Sequence, residues 1–134
     1  MTVGFVLVSH SPRLAEGTRE LAEQVAQGAP IVAVGGTEEG SLGTNALAIA
    51  EAIRSLAAAD GVEGVLVLMD LGSAVLGTET ALEQLPDDVR ARVRMVDAPF
   101  VEGAVAGAVE ASLGSDLAAV AATAEAARGQ SKLG

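Results

Sequence analysis

The sequence of 134 residues contains no cysteine, no tryptophan, no tyrosine and only one histidine, His10. Without cysteine there is no disulfide, no thiol nucleophile and no cysteine-ligated metal site. One histidine among scattered carboxylates is also a poor ligand set, so we predict neither a metal nor another cofactor. The only aromatic residues are Phe5 and Phe100. The core must therefore be built mainly from alanine, valine and leucine.

Basic residues are scarce as well. Eight Lys and Arg residues against 18 Asp and Glu residues give a formal net charge of −10. A chain this acidic is repelled by nucleic acid and by anionic membrane surfaces. No apolar run reaches the length of a membrane span, and the first 14 residues lack the basic start and cleavage site of a signal peptide. We therefore expect a cytoplasmic protein that binds neither nucleic acid nor membranes.

Apolar runs alternate with helical patterns along the chain. The predicted strands span residues 3–8, 31–34, 65–69 and 93–96, and the predicted helices span residues 12–27, 44–59, 74–84, 87–92, 101–113 and 116–127. Short connections then predict an α/β fold, a doubly wound and mostly parallel four-stranded sheet in the order 2-1-3-4 with helices on both faces. In the first helix, Leu14, Leu21, Val25 and the flanking alanines have helical spacing and are expected to face the core. The length suits one domain, residues 1–128, followed by a flexible tail, residues 129–134.

The first strand stops at a polar turn, Ser9-His10-Ser11-Pro12. Ser11 suits a helix N-cap and Pro12 suits the first helical position. His10 is thereby placed at the carboxyl end of a central strand and beside a helix N-terminus, where open α/β sheets bind ligands. A lone histidine in a turn is about as often an exposed polar residue, so its position alone does not decide its role.

The turn after the third strand, Asp70-Leu-Gly-Ser73, repeats this arrangement. Asp70 is a candidate to accept the proton of one His10 ring nitrogen, which would leave the other nitrogen free as a nucleophile. The alternative for Asp70 is a helix-capping carboxylate. Ser11, Gly72 and Ser73 lie where two helices begin, and they are the candidate groups for holding an anion on the histidine.

A polar, glycine-rich loop follows the second strand. It lacks the lysine of a Walker motif and the spacing of a Gly-x-Gly-x-x-Gly fingerprint, so neither nucleotide-binding motif is present. We predict a lid or partner-contact loop that includes Gly36, Thr37, Gly43 and Thr44, with Ser41 or Thr44 capping the next helix. The alternative is a mobile loop whose glycines serve only the backbone geometry.

A serine hydrolase would use the same region of the chain. Its nucleophile would be Ser9, Ser11 or Ser73, with His10 and Asp70 as the other two members. The nucleophile elbow Gly-x-Ser-x-Gly is missing, however, and in that fold the histidine follows the serine and the acid in the chain. A non-catalytic α/β binding or regulatory module is a further alternative.

Six segments together resemble one family. They are Leu-Val-Ser-His-Ser at 7–11, Ala-Glu-Gly at 15–17, Gly-Thr-Asn at 43–45, Val-Leu-Met-Asp-Leu-Gly-Ser-Ala at 67–74, Glu-Thr-Ala-Leu-Glu at 79–83 and Ala-Pro-Phe-Val-Glu-Gly at 98–103. The chain resembles the phosphotransferase subunits of bacterial dihydroxyacetone kinases and, more broadly, the mannose-type enzyme IIA domains of the sugar phosphotransferase system. The likeness extends over about residues 3–127.

The resemblance implies a phosphoryl carrier. His10 would accept a phosphoryl group from the phosphocarrier HPr and pass it to ADP on a second kinase subunit, for the phosphorylation of dihydroxyacetone. Asp70 matches the carboxylate that orients the family's histidine, and Ser73 falls where members hydrogen-bond the phosphoryl group. An enzyme IIA role in mannose-type sugar uptake is the related alternative.

The resemblance also implies a homodimer. The extra exchanged strand of the mannose-type domains is not found in this sequence, so the mode of dimerisation is left open. The alanine-rich segments 104–111 and 118–127 are expected to supply apolar surface for the dimer contact. The contact should leave the ends of the strands around His10 accessible to partners.

Overall fold

A four-stranded, entirely parallel sheet forms the centre of the computed structural model, which describes residues 2–134. The strands are β1 (Thr2–Ser9), β2 (Ile31–Gly35), β3 (Val62–Met69) and β4 (Val93–Met95), and their order is β2-β1-β3-β4. The predicted α/β class, strand order and parallel pairing are confirmed. The carboxyl ends of all four strands therefore lie along one edge, which we call the strand-end rim.

Six α-helices and one short 3-10 helix connect or follow the strands within this range. They are α1 (Pro12–Val25), α2 (Ala46–Ala58), α3 (Gly72–Glu83), α4 (Asp87–Arg90), α5 (Phe100–Ser112), α6 (Leu117–Ala126) and the 3-10 turn Ala127–Gly129. None of the helices in the described part of the chain is long and apolar enough to cross a membrane. The division into a domain of residues 1–128 and a tail stays a prediction.

The two central strands are buried on both faces, as their continuous apolar runs indicate. Phe5, Leu7 and Leu66 belong to a core that α1, α5 and α6 cover, whereas Val6 and Val67 belong to a core that α2 and α3 cover. Helices on both faces are thus confirmed.

Strand β3 begins three residues before the predicted start at Val65. Gly64 lies inside the strand rather than ahead of it, because α6 packs over this position: a Cβ on Gly64 would lie 3.1 Å from Leu117 Cδ2. A glycine that admits a neighbouring side chain can look like a strand breaker in sequence.

The predicted core face of α1 is confirmed for its alanines and wrong for its three larger residues. Leu14, Leu21 and Val25 are 41%, 47% and 51% exposed, and Ala15 and Ala22 are fully buried instead. Small side chains let the helix approach the sheet closely, whereas the larger residues lie along its flank. A helix with both alanine and leucine at helical spacing has two possible apolar faces, and close packing selects the smaller one.

The alanine-rich C-terminal segments divide between the core and the surface. Helices α5 and α6 pack against each other and the sheet, and they bury Ala104, Ala108, Ala121 and Ala124 to 1% exposure or less. These alanines complete the core of their own chain, whereas Ala118 and Ala122 of α6 are exposed, so part of the expected apolar surface is present.

Gly35 fixes the approach of β2 to the turn before α1. A Cβ at this position would lie 2.7 Å from Pro12 Cα and 2.7 Å from Ser11 O, both of them backbone atoms. We therefore expect Gly35→Ala to destabilise the protein by about 1–3 kcal/mol, because the added methyl group forces the backbone apart. The free energy of unfolding is measured by urea denaturation.

Gly17→Ala is the matched control. A Cβ on Gly17 has nothing within 4 Å, and the residue lies inside α1. This substitution should stabilise the protein by roughly 0.5–1 kcal/mol, because alanine loses less backbone entropy in a helix than glycine does. A Gly35→Ala variant as stable as Gly17→Ala would contradict the close approach.

Candidate active site

His10 lies between the last residue of β1 and the first turn of α1. The Ser11 hydroxyl accepts the Leu14 N–H at 3.3 Å, and Pro12 is the first helical residue, so the predicted cap of α1 is confirmed. Backbone bonds hold the turn on two sides: Asp70 N donates to Val8 O and Gly43 N donates to His10 O, each at 3.0 Å. The His10 side chain is 23% exposed.

Asp70 binds both the ring and the backbone of His10. Its Oδ1 accepts hydrogen bonds from His10 Nδ1 at 2.9 Å and from the Leu71 N–H at 2.8 Å. Its Oδ2 accepts hydrogen bonds from the His10 N–H and the Ser9 hydroxyl, each at 3.0 Å. The carboxylate, whose side chain is only 8% exposed, is therefore held by two donors on each oxygen.

These bonds favour the ionised form of Asp70. Burial by itself would raise the pKa of this carboxyl, but hydrogen bonds from the His10 backbone, the His10 ring and Ser9 lower it further than burial raises it. The net pKa of Asp70 lies below its ordinary value of 3.8.

An ionised Asp70 determines which ring nitrogen carries the proton. Because a carboxylate can only accept, Nδ1 of neutral His10 must donate to it, and the lone pair then lies on Nε2. The Ser73 hydroxyl is 2.6 Å from Nε2 and can donate to that lone pair. The ring is thus held at Nδ1 by Asp70 and touched at Nε2 by one hydroxyl.

The helix-capping alternative for Asp70 does not describe the geometry. The residue at the N-cap position of α3 is Leu71, and within residues 2–134 no side chain caps this helix. The N–H groups of its first turn, which includes Gly72 and Ser73, therefore point toward the strand-end rim beside His10. Such a terminus favours an anion by about 0.3–1 kcal/mol.

Ser11 differs from the other candidate anion ligands. Its hydroxyl is engaged with the Leu14 N–H, and its backbone N–H donates to Ser9 Oγ at 3.0 Å. The structure brings Ser73 and Asp70 to the ring, whereas it uses Ser11 to start α1.

The glycine-rich loop lies beside the site, as its bond from Gly43 to the His10 carbonyl shows. Gly36 and Gly43 adopt φ values of 81° and 142°, which favour glycine. The Thr37 and Ser41 hydroxyls are 2.7 Å apart and close a turn within the loop. Whether the loop acts as a lid or a partner contact stays a prediction.

The predicted cap of α2 is wrong. Asn45 is the N-cap, and its side chain accepts the Ala48 N–H at 3.2 Å. The Ser41 hydroxyl is used by Thr37, and Thr44 packs against α3, where a Cβ on Gly77 would lie 2.9 Å from Thr44 Oγ1. Both predicted caps therefore have other partners, and the next polar residue in the chain takes the position.

Sequence reasoning missed the part that Ser9 plays. Ser9 is fully buried and bonds to Asp70, and sequence analysis considered it only as a hydrolase nucleophile. The available signal was a serine at the end of an otherwise apolar strand, next to the only histidine. Such a residue must find a buried hydrogen-bond partner.

Comparison with known proteins identifies the family of the chain. Residues 4–121 match the family model EIIA-man, described as the PTS system fructose IIA component. The chain is 45% identical over 119 residues to the PEP-dependent dihydroxyacetone kinase phosphoryl donor subunit DhaM of Escherichia coli K12. It is 42% identical over 109 residues to the subunit DhaM of dihydroxyacetone kinase 2 from Listeria innocua, and 31% identical over 120 residues to the phosphotransferase subunit DhaM of Lactococcus lactis.

Coverage differs among these relatives. The matches include 86%, 81% and 90% of this chain, but 25%, 85% and 91% of the E. coli, L. innocua and L. lactis proteins, respectively. The chain therefore spans a quarter of the E. coli protein and most of the other two. A solved structure titled "Crystal structure of unknown function protein EF1359" superposes with a TM-score of 0.83 at 38% identity, over 93% of this chain and 94% of that one. The family match over most of the chain, together with DhaM relatives above 30% identity, shows that the chain belongs to the EIIA-man family of phosphotransferase-system IIA components.

Proposed function

We propose that the chain is a phosphotransferase subunit that carries a phosphoryl group on His10. It accepts the group from phospho-HPr and passes it to ADP bound to a partner kinase subunit, for the phosphorylation of dihydroxyacetone. The names of the DhaM relatives support the kinase assignment. The observation that carries the proposal is the pairing of His10 Nδ1 with Asp70 at 2.9 Å, which leaves the lone pair on Nε2, the nitrogen that lies 2.6 Å from the Ser73 hydroxyl.

Loading of His10 is a nucleophilic substitution at phosphorus. The lone pair of Nε2 forms a new N–P bond, and the N–P bond of the donor's phosphohistidine breaks, with its electron pair returning to the donor imidazole. The proton on Nδ1 stays there, so the phosphorylated ring carries a positive charge that Asp70 offsets at 2.9 Å.

Unloading reverses the same chemistry on a different acceptor. A β-phosphate oxygen of ADP attacks phosphorus, the bond from phosphorus to Nε2 breaks, and ATP and neutral His10 result. The phosphoryl oxygens would be stabilised by the Ser73 hydroxyl and by the first N–H groups of α3, which include Gly72. These steps use no metal or cofactor bound to this chain, and we propose a cytoplasmic location because ADP is the acceptor.

Reconstitution tests the proposal. Phosphoenolpyruvate, enzyme I and HPr should phosphorylate the chain, and adding the dihydroxyacetone-binding and ADP-binding subunits should then yield dihydroxyacetone phosphate. Omitting this chain should stop product formation. Loading from phospho-HPr without transfer to the kinase subunits would instead favour the sugar-uptake alternative, which the description of the matched family model also suggests.

A serine hydrolase is the second candidate, because Ser73, His10 and Asp70 form a Ser-His-Asp arrangement. The nucleophile of such a hydrolase lies in a strained turn. Ser73 instead lies in the first turn of a regular helix, and within residues 2–134 no residue other than glycine has a positive φ. The geometry around Ser73 is therefore not that of a nucleophile elbow. A fluorophosphonate probe discriminates between the two functions: covalent labelling of Ser73 would favour the hydrolase, and the carrier predicts none.

We further propose a homodimer whose contact avoids the strand-end rim. The exposed alanines of α6 are small, and larger exposed apolar residues give stronger support: Leu21 and Val25 near the end of α1, and Leu113 after α5, are 47%, 51% and 74% exposed. Helices α1 and α5 begin near the strand-end rim and end at the opposite edge of the sheet, where the strands begin. Self-association there would cover this surface and leave His10 reachable.

Light scattering should therefore show a dimer at micromolar concentration. Leu21→Glu with Val25→Glu is expected to give a folded monomer, because two buried charges have no partner in the contact. Leu42→Glu, in the loop beside His10, is the matched control and should remain dimeric, since Leu42 is also exposed but lies at the rim. A monomeric wild-type protein, or a dimer lost only in Leu42→Glu, would contradict the proposed contact.

A further inference from the structure

Only three polar residues are buried in the described part of the chain: Ser9, Thr18 and Thr78. The two threonines make bonds within their own helices, from Thr18 Oγ1 to Leu14 O and from Thr78 Oγ1 to Ala74 O. The Ser9 hydroxyl instead reaches across from β1 to a side chain that follows β3. Burying a hydroxyl is costly, and this one satisfies a carboxylate rather than a helix.

The Ser9 hydroxyl connects two parts of the site. As a donor it binds Asp70 Oδ2 at 3.0 Å, and as an acceptor it binds the Ser11 N–H at 3.0 Å. One oxygen therefore ties the carboxylate to the turn that holds His10. Because Ser9 is fully buried and its proton is committed to Asp70, it cannot be the hydrolase nucleophile considered from the sequence.

Ser9 is the only side-chain donor to Asp70 other than the His10 ring among residues 2–134. The remaining two donors are the backbone N–H groups of His10 and Leu71. Without the hydroxyl, Oδ2 keeps a single bond and the Ser11 N–H loses its acceptor. The carboxylate plane and the turn could then shift relative to each other, and the direction of the Nδ1 bond would no longer be fixed.

We propose that Ser9 is a positioning residue for phosphoryl transfer: by holding Asp70 Oδ2 and the turn before α1 together, it keeps His10 with Nδ1 protonated and Nε2 available. The proposal rests on the carrier function proposed above. Ser9 touches neither the ring nor the reacting atoms, and it acts only through Asp70 and the turn.

Two measurements on Ser9→Ala test this role. The rate of loading from phospho-HPr should fall about 10–100-fold, the range seen when a hydrogen-bond partner that orients a metal-ligating side chain is removed. Nitrogen chemical shifts of the His10 ring, recorded without any phosphoryl donor, should show a larger share of the Nε2-protonated tautomer. The NMR titration of the Asp70 carboxyl should also move to higher pH, because one of the bonds that lower its pKa is gone.

Thr18→Val is the matched control, because it also removes a buried hydroxyl but one that bonds only within α1. It should leave the loading rate and the tautomer unchanged. Ser9→Cys, whose thiol is a weak donor of similar size, should give intermediate values and serves also if Ser9→Ala does not fold.

An unchanged tautomer or an unchanged loading rate in Ser9→Ala would overturn the proposal, and so would an equal loss in Thr18→Val. If the wild-type chain is not loaded at all, the carrier function fails, whereas the tautomer measurement still reports on Ser9. The two failures are therefore distinguishable.

Discussion

Replacing His10 with alanine is expected to abolish phosphorylation by phosphoenolpyruvate, enzyme I and HPr. His10 is the only histidine in the chain, so no second imidazole can take over. In the wild-type protein the label should be acid-labile and base-stable, as expected of a phosphohistidine. Phosphate incorporation per chain, measured by mass spectrometry at neutral pH, should fall from one to none.

Ser11→Ala is the control for this experiment. It alters the adjacent residue and weakens the cap of α1, which typically costs ~1 kcal/mol, but it leaves the ring and Asp70 in place. This variant should still be labelled. Undiminished labelling of a folded His10→Ala protein would contradict the assignment of His10 as the phosphoryl acceptor.

Asp70→Asn is expected to slow phosphoryl transfer by a factor of about 100 or more, with the fold intact. An amide cannot accept all four of the hydrogen bonds that Asp70 accepts. If its NH2 group faces Nδ1, it donates to that nitrogen and forces the ring proton onto Nε2, which removes the nucleophilic lone pair. A neutral side chain also leaves the charge of the phosphorylated ring without compensation. Rapid-quench measurement of loading from phospho-HPr gives the rate.

Asp97→Asn removes the same charge from the end of the neighbouring strand and is the matched control. The Asp97 side chain is 96% exposed and contacts Arg128 rather than His10, so this variant should transfer at the wild-type rate. Equal rates in wild type, Asp97→Asn and Asp70→Asn would reduce Asp70 to a structural residue.

Acid stability, compared between the wild type and Asp70→Asn, supplies a second readout for Asp70. Its folded-state pKa lies below the ordinary value of 3.8, so ionised Asp70 stabilises the folded state fully above that pH. This contribution is lost as the pH falls through the folded-state pKa. The free energy of unfolding of the wild type should therefore decline at acid pH more steeply than that of Asp70→Asn.

Much of the site could be predicted because its residues occupy the ends of strands. Buried runs such as 65–69 locate the strands and their carboxyl ends, even where the start is misplaced as in β3, and parallel pairing brings the turns that follow them together at one edge. The meeting of His10 with Asp70 and Ser73 follows from that topology alone. Which ring nitrogen faces Asp70 and which faces Ser73 does not follow, because it depends on side-chain rotamers.

The errors arose where a residue has two plausible environments. Leu14, Leu21 and Val25 have the spacing of a core face, but α1 buries the alanine face beside them. Choosing between adjacent apolar stripes requires the distance from helix to sheet, which periodicity does not contain. Ser9 was missed for the related reason that a hydroxyl's role depends on its partner across the sheet, 61 residues away in the chain.

The position of the phosphoryl group on the ring is the most direct measurement of the proposed mechanism. The nitrogen-labelled chain is loaded from phospho-HPr, and phosphorus–nitrogen couplings are recorded by NMR. Because Asp70 holds Nδ1, we expect the phosphorus to couple to Nε2 of His10 and the proton on Nδ1 to persist. Coupling to Nδ1, or phosphate on any residue other than His10, would contradict the carrier mechanism.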